Sequence, residues 1–235
     1  MNSKSIIRVD IHTHLLPDID CSGNPKISAD IINSIKTLGV SSIVLTPHFY
    51  PNLNNSVKRF IENRNRNIAA LLDQLNTKGI NGVRLIPAAE VLLYPGLENM
   101  EDLELLCLEG TNNILIEMPD PQWSQSVIDT LINIRDRLGL NVIIAHAERY
   151  GKDNAKMLIS LGFKVQINAA SFASLIKRPS LIGWIKDGHV VGIGSDMHVR
   201  SSSTSKDYNS FVKASKRLSK YVNDINKRSL ELLEQ

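Results

Sequence analysis

Ile31-Ile32-Asn33-Ser34-Ile35-Lys36-Thr37-Leu38-Gly39-Val40-Ser41-Ser42-Ile43-Val44-Leu45-Thr46-Pro47-His48 reads as a helix, a turn and a strand that ends on a histidine. Ile31, Ile32, Ile35 and Leu38 form an apolar face at helical spacing. Gly39 follows as a residue able to take positive φ past the helix end, and Val40 to Thr46 is a strand-forming run. The unit is helix, glycine, strand, and it recurs.

Ile68, Leu71, Leu72 and Leu75 precede Gly79 and a strand at Val83 to Pro87; Val127, Leu131, Ile134 and Leu138 precede Gly139 and a strand at Asn141 to Ala145. Met157, Leu158 and Leu161 precede Gly162 and Lys164 to Asn168, and Ile182 and Ile185 precede Gly188 and Val190 to Gly194. A first strand at Ile6 to Ile11 and another at Asn113 to Glu117 bring the expected strands to seven. Near-continuous Ile, Val and Leu is what parallel strands covered on both faces require. The expectation is an α/β protein: a closed or distorted seven-stranded (β/α)7 barrel, one domain over residues 1–235. Phe211 to Tyr221 and Asn223 to Leu233 read as closing helices on the outside, and Ser201 to Ser205 as a loop beside the site.

Six strand runs end on a metal-ligand side chain: His12 and His14, His48, Glu90, Glu117, His146, and Asp196 with His198. Parallel strands point their carboxyl ends the same way, so these endings converge on one rim. His12 and His14 are two apart and face one side of their strand. A mixed imidazole and carboxylate set suits manganese, iron or zinc, and the convergence reads as a polynuclear metal site.

The composition is that of an ordinary folded chain, 43% hydrophobic and 22% charged over 235 residues, with a formal net charge of +3. Lys206, Lys213, Lys216, Arg217, Lys220, Lys227 and Arg228 read as a solvated helical face; no aromatic interleaving or nucleic-acid motif accompanies them. Cys21 and Cys107, far apart, do not form a disulfide framework, and no apolar run suggests a signal peptide or membrane span. A cytoplasmic protein without membrane insertion is expected. Neither cysteine lies in a Gly-rich phosphate-cradling loop, which disfavours a cysteine-nucleophile phosphatase.

Asp10-Ile11-His12-Thr13-His14-Leu15-Leu16-Pro17-Asp18-Ile19-Asp20, with Thr46-Pro47-His48, Ile116-Glu117, Ile144-Ala145-His146-Ala147-Glu148-Arg149-Tyr150 and Ser195-Asp196-Met197-His198, resembles the polymerase and histidinol phosphatase (PHP) superfamily. More narrowly, it is similar to the bacterial manganese-dependent protein-tyrosine phosphatases of capsule and exopolysaccharide operons. The resemblance implies the distorted seven-stranded barrel and three metals. His12, His14, Glu90 and Asp196 would hold the first metal, Glu90, Glu117 and His146 the second, and His48 and His198 the third. Arg149 would contact the substrate phosphate, for which a planar guanidinium is suited.

Two departures from the family pattern stand out. The third metal's further carboxylate falls on Cys21 in an ungapped match and on Asp20 in a shifted one; Asp20 is the better manganese ligand, while Cys21 would bias the site toward zinc. A second phosphate-binding arginine falls on Ser203, leaving Arg200 to reach the phosphate from a differently shaped loop.

These readings make the expected protein a metal-dependent phosphatase acting on the phosphotyrosine tail of a cognate bacterial kinase that controls polysaccharide export. The attacking group would be hydroxide, formed because the cations acidify water. The rivals are a small-molecule phosphatase of the same superfamily, on a histidinol-phosphate-like or sugar phosphate, and a catalytically silent, metal-bound regulator. The polar Phe49 to Ser56 loop favours an open rim, and oligomeric state is left open. Trp123, in the loop after Glu117, is a rim or core residue; His189 is structural; Asn168 either hydrogen-bonds near the metals or caps the next helix.

Overall fold

The computed structural model describes residues 6–17, 19, 24–53, 56–119, 122–199 and 204–234, with side chains from 209 onward in the last stretch. Ten strand segments form one parallel sheet: β1 (Val9–His14), β2 (Ser42–Leu45), β3 (His48–Phe49), β4 (Arg84–Pro87), β5 (Glu90–Leu92), β6 (Asn113–Glu117), β7 (Asn141–Ile144), β8 (Lys164–Asn168), β9 (Val190–Gly194) and β10 (Met197–His198). The helices are α1 (Pro25–Thr37), α2 (Val57–Thr77), α3 (Gln125–Asp136), α4 (Lys152–Ser160), α5 (Arg178–Lys186), α6 (Thr204–Arg217) and α7 (Val222–Glu231). The order is β3-β5-β6-β7-β8-β9-β1-β2-β4, with β10 also on β1.

All seven strands expected from the sequence are present, the first running from Val9 to His14 rather than from Ile6 to Ile11. Three short segments, β3, β5 and β10, add to them, each separated by two residues from the end of β2, β4 or β9. Backbone bonding continues across the gaps: Thr46 N–H donates to Thr13 O (3.0 Å), Ala88 N–H to Leu45 O (2.9 Å), Glu90 N–H to Pro47 O (3.1 Å) and Asp196 N–H to His12 O (2.9 Å). Arg64, buried on α2, donates through Nη1 to Ala88 O (3.0 Å) at the β4–β5 gap, and burial pulls its pKa down to about 10. Phe49, expected at the start of a polar loop, instead belongs to β3 and is fully buried.

Alternate residues of each strand enter different apolar clusters. Ile43, Leu45, Ile114, Ile116, Val142 and Ile144 pack with the helices, while Val44, Leu115 and Ile143 join Val9, Ile11, Ile86 and Val191 on the other face. The strands are thus buried on both faces, which is why their sequence runs are apolar without alternation. Leu232 and Leu233 complete the second cluster after α7, and Leu232 O accepts from Asn113 Nδ2 (2.8 Å) at the amino end of β6. The chain's last apolar residues therefore close the end opposite the histidines. A cavity of about 300 Å³ beside them is lined by Asn113, Asn141, Lys164, Arg228 and Leu232, among others.

The closing helices begin earlier than expected, α6 at Thr204; residues 201–203 lie outside the described region. Lys213, Lys216, Lys220 and Lys227 are exposed, as a solvated face requires. Two arginines of that set do structural service: Arg217 donates to Phe172 O (3.1 Å), and Arg228 to Val190 O (2.6 Å) and Ile185 O (2.9 Å). Among the described residues, no helix is long and apolar enough to cross a membrane.

Candidate metal centre

Strand register brings the ligand residues together. β1 pairs β10 with His14 opposite His198, and β3 pairs β5 with His48 opposite Glu90. His12 Nε2 and His14 Nε2 are 3.0 Å apart, and each lies 3.2 Å from Glu90 Oε2. Asp196 Oδ1 is 3.3 Å from His14 Nε2 and 3.7 Å from His12 Nε2. His146 Nε2 meets Glu90 Oε1 at 2.8 Å and Glu117 Oε1 at 3.5 Å. The His14 ring stacks on that of His48 and on that of His198, with centroids 4.2 Å away in each case, and those two rings lie 5.8 Å from each other.

Eight of the nine expected ligands thus converge; Asp20 lies outside the described residues, as does its rival Cys21. Among the described residues, three groups have donor atoms close enough to share an ion: His12, His14 and Asp196; His48, Glu90 and Glu117; His14, His48 and His198. This partition differs from the one the resemblance implies. His48 faces Glu90, with Nδ1 2.9 Å from Oε2, because the two are register partners, and His14 joins two groups because it lies between His12 and His198.

The donor set fits cations. Glu90 Oε2 is buried and makes no hydrogen bond of good geometry, although three imidazole nitrogens lie within 3.2 Å. Convergent lone pairs on neutral imidazoles and carboxylates are what a divalent ion satisfies.

Charge is unevenly distributed over the cluster. Burial opposes ionisation of Glu90, but the charge of His12 and the close approach of the His12, His14 and His146 rings hold its carboxyl well below the usual range. Glu117 is raised, by burial and by the charge on Glu90. Burial also opposes ionisation of Asp196, yet His14, His12 and Arg149 together hold it well below the ordinary value. The His12 imidazolium is disfavoured by burial and favoured more strongly by Glu90 and then Asp196, for a net upward shift. His146 is shifted down by burial, and His198 is pushed down to about 4 by burial and by His14.

Two of the expected ligands sit on strained backbone: His146 (φ 30°) and Asp196 (φ 52°) both have positive φ without being glycine. Such conformations persist only where surrounding contacts impose them. Asp10 supplies one, accepting from the Ser195 N–H at 2.8 Å, and burial pushes its own pKa up to about 6. Tyr150 supplies another: its hydroxyl lies 3.2 Å from His146 Nδ1 and accepts from Met118 N–H at 3.0 Å.

Arg149, expected to contact phosphate, is half exposed and pairs through Nη2 with Asp196 Oδ2. Arg200 lies outside the described residues. Trp123 packs edge-on against Tyr150 (5.5 Å between centroids) and donates to Pro119 O, which places it one ring away from His146. Asn168 does not cap the turn that follows it; its amide donates to Asp196 Oδ2 at 2.8 Å. Gln166, Tyr150 and Asp10 were not read as site residues. The available signals were Gln166 and Asn168 as polar residues alternating with Val165 and Ile167 in one strand, and Tyr150 four residues after His146.

Several solved structures share the fold. A structure from a study of YwqE from Bacillus subtilis and CpsB from Streptococcus pneumoniae, described as unique metal-dependent tyrosine phosphatases, is similar with a TM-score of 0.70 and 20% identity over 94% of each chain. The phosphotriesterase homology protein from Escherichia coli, complexed with phosphate in its active site, gives 0.57 and 13%, over 98% of this chain and 99% of its own. The lactonase Lmo2620 from Listeria monocytogenes gives 0.57 and 11%, over 99% and 92%. At these identities the likeness carries the fold alone. No curated protein compared with the chain matches it. Residues 8–229 match the family described as capsular polysaccharide synthesis, CpsB/CapC, and the chain belongs to that family.

Proposed function

We propose that this protein is a metal-dependent phosphatase that hydrolyses phosphotyrosine on a cognate bacterial tyrosine kinase regulating capsular or exopolysaccharide synthesis. Membership of the CpsB/CapC family supports it, as does the fold shared with metal-dependent tyrosine phosphatases. The observation that carries it is the gradient of exposure across the cluster. His12, His14, Glu90 and His146 are sealed at 0–2%, whereas His48, Glu117 and His198 keep 22–24% and Arg149 51%. The cluster opens to solvent on the side where Arg149 stands, which suits a phosphate carried on a polypeptide.

In this reading His12, His14, Asp20, His48, Glu90, Glu117, His146, Asp196 and His198 hold two to three ions, manganese for preference and iron or zinc as alternatives. The ions, when bound, supply the positive charge that acidifies water and offsets the phosphoryl oxygens. Arg149 binds the phosphate: one nitrogen holds Asp196, and the remaining N–H groups of the guanidinium can donate to phosphate oxygens. Arg200, outside the described residues, is the candidate for a second cation on the phosphate. Tyr50, stacked on His48 with centroids 5.1 Å apart, offers a ring beside the phenyl group of the substrate. The fold is one domain, a distorted seven-stranded barrel if each interrupted pair counts as one strand; the bonds across the interruptions support that count. A cytoplasmic setting suits the free, buried Cys107.

The test is phosphate release from a phosphotyrosyl peptide by chelator-stripped protein, with and without manganese, beside histidinol phosphate and a sugar phosphate. Manganese-dependent release from the peptide is expected. Release from only the small phosphates would move the assignment to them, and none from any substrate by protein shown to bind metal would leave a silent regulator.

A further inference from the structure

Two consecutive inward positions of β8, Gln166 and Asn168, form a chain of amides that nothing in the metal-site reading uses. Both are buried, at 0% and 4% exposure, and as residues two apart on a strand they share a face while Val165 and Ile167 pack in the core. Gln166 Oε1 lies 2.6 Å from the backbone N–H of His146 and 3.2 Å from His12 Nδ1. A backbone N–H only donates, so the amide cannot be turned the other way round without setting two donors against each other. With the oxygen so placed, Gln166 Nε2 donates to Asn168 Oδ1 at 2.7 Å, and Asn168 Nδ2 in turn donates to Asp196 Oδ2 at 2.8 Å. Every link has one permitted direction, set by the His146 amide at its head.

The consequences fall on two expected ligands. An amide oxygen accepts only, so His12 carries hydrogen on Nδ1, which in the neutral ring leaves the lone pair on Nε2, the nitrogen facing His14, Glu90 and Asp196. At the other end, Asn168 and Arg149 both engage Asp196 Oδ2, which leaves Oδ1 toward the imidazoles. We propose that Gln166 and Asn168 are positioning residues: a one-directional amide relay that fixes the His12 tautomer and the Asp196 rotamer and so pre-forms the metal-binding face of the cluster. The inference rests on the reading of His12 and Asp196 as ligands. Partners behind a metal ligand typically change metal affinity 10–100-fold when removed.

The relay makes separable predictions for its two limbs. Gln166→Met removes the acceptor on His12 and His146. Asn168→Asp still accepts from Gln166 but sets a carboxylate against Asp196 Oδ2. The first readout is the 15N and 1H spectrum of the histidine rings in chelator-stripped protein at alkaline pH, which reports which nitrogen carries hydrogen without any metal. The second is the manganese dissociation constant, from the electron paramagnetic resonance signal of free Mn2+. Wild type, Asn168→Asp and Gln166→Glu, which keeps the acceptor, are expected to show His12 protonated on Nδ1, and Gln166→Met to lose that preference. Manganese should bind about 10–100-fold more weakly to both Gln166→Met and Asn168→Asp. An Nε2–H tautomer in wild type, an unchanged His12 spectrum in folded Gln166→Met, or wild-type manganese affinity in Asn168→Asp would overturn the relay. If Gln166→Met fails to fold, the wild-type and Gln166→Glu tautomers and the Asn168→Asp affinity decide it. Wild type that binds no manganese would instead strike at the proposed function, while the tautomer still tests the relay.

Discussion

Gly194→Ala adds a single methyl group at the wall of the candidate metal centre. A Cβ on Gly194 would stand 2.5 Å from His12 Cβ and 2.6 Å from Gln166 Nε2, where ordinary contact begins at 3.4 Å. About 0.9 Å must therefore be found. His12 Cβ is fixed to the backbone of β1, and the Gln166 amide is held by three hydrogen bonds, so neither is a free end that can swing aside. The strands β1 and β9 have to part. Overpacking of this kind costs typically 1–3 kcal/mol, and each kcal/mol lowers Tm by about 2–4 °C in a domain of this size. The displaced groups are an expected ligand and the residue proposed to orient it, and a misplacement of about 1 Å can cost on the order of 10²-fold in rate. The matched control is Gly183→Ala on α5, where a Cβ meets nothing within 4 Å. It is expected to be neutral or to stabilise by up to about 1 kcal/mol. Thermal melts of metal-free protein, manganese titration and turnover of a phosphotyrosyl peptide measure all three effects. Gly194→Ala with the Tm, affinity and turnover of wild type would mean that β1 and β9 do not approach as described, and the distances around His12 would lose their force.

The histidines should titrate apart. His198, pushed down to about 4, stays neutral at pH 5.5, whereas His12, shifted upward, is charged at pH 6.5 in metal-free protein; NMR titration of the rings checks both, and a His198 midpoint near 6.5 would contradict the packing around it. Since the unfolded ring takes up its proton near 6.5 and folded His198 only near 4, the unfolded state binds more protons between those values. Its contribution to stability is thus full above about 6.5 and falls away as pH drops toward 4, while that of His12 is present below 6.5 and lost as pH rises through its folded value. Cys107, buried and with its thiol pushed up to about 12, should resist iodoacetamide until the protein unfolds, and Cys107→Ser should keep full phosphatase activity; native labelling or lost turnover would reopen a thiol mechanism. Arg149→Lys should raise KM for a phosphotyrosyl peptide more than it lowers kcat, because a point charge replaces a planar fork that also holds Asp196; an unchanged KM would remove Arg149 from phosphate binding. Glu90→Gln should weaken manganese binding by at least tenfold, since one carboxylate faces four imidazoles, and undiminished affinity would displace Glu90 from the centre.

Much of the architecture was legible along the chain because its signals are local. Parallel strands covered on both faces are written as uninterrupted Val, Ile and Leu, and Gly39, Gly139 and Gly162 mark helix ends by the positive φ they go on to adopt. The histidines and carboxylates were legible for a related reason: they stand at the ends of six strand runs, so parallel pairing alone brings them to one rim. Less visible were the breaks at Thr46-Pro47, Ala88-Ala89 and Ser195-Asp196, which turn single apolar runs into paired segments and aim His48, Glu90 and His198.

Residue types and strand ends by themselves determined the class of fold and eight of the nine candidate ligands, Asp20 coming only with the family resemblance. Only the tertiary structure decided which ligands share space, that Arg149 rests on Asp196, that Leu232 and Leu233 close the far end, and that Gln166 and Asn168 stand behind His12 and Asp196. Gln166 lies 154 residues from His12 in sequence. An amide in a strand carries no local mark of what it will face; its hydrogen-bond direction is set by whichever donor the closed sheet places against it.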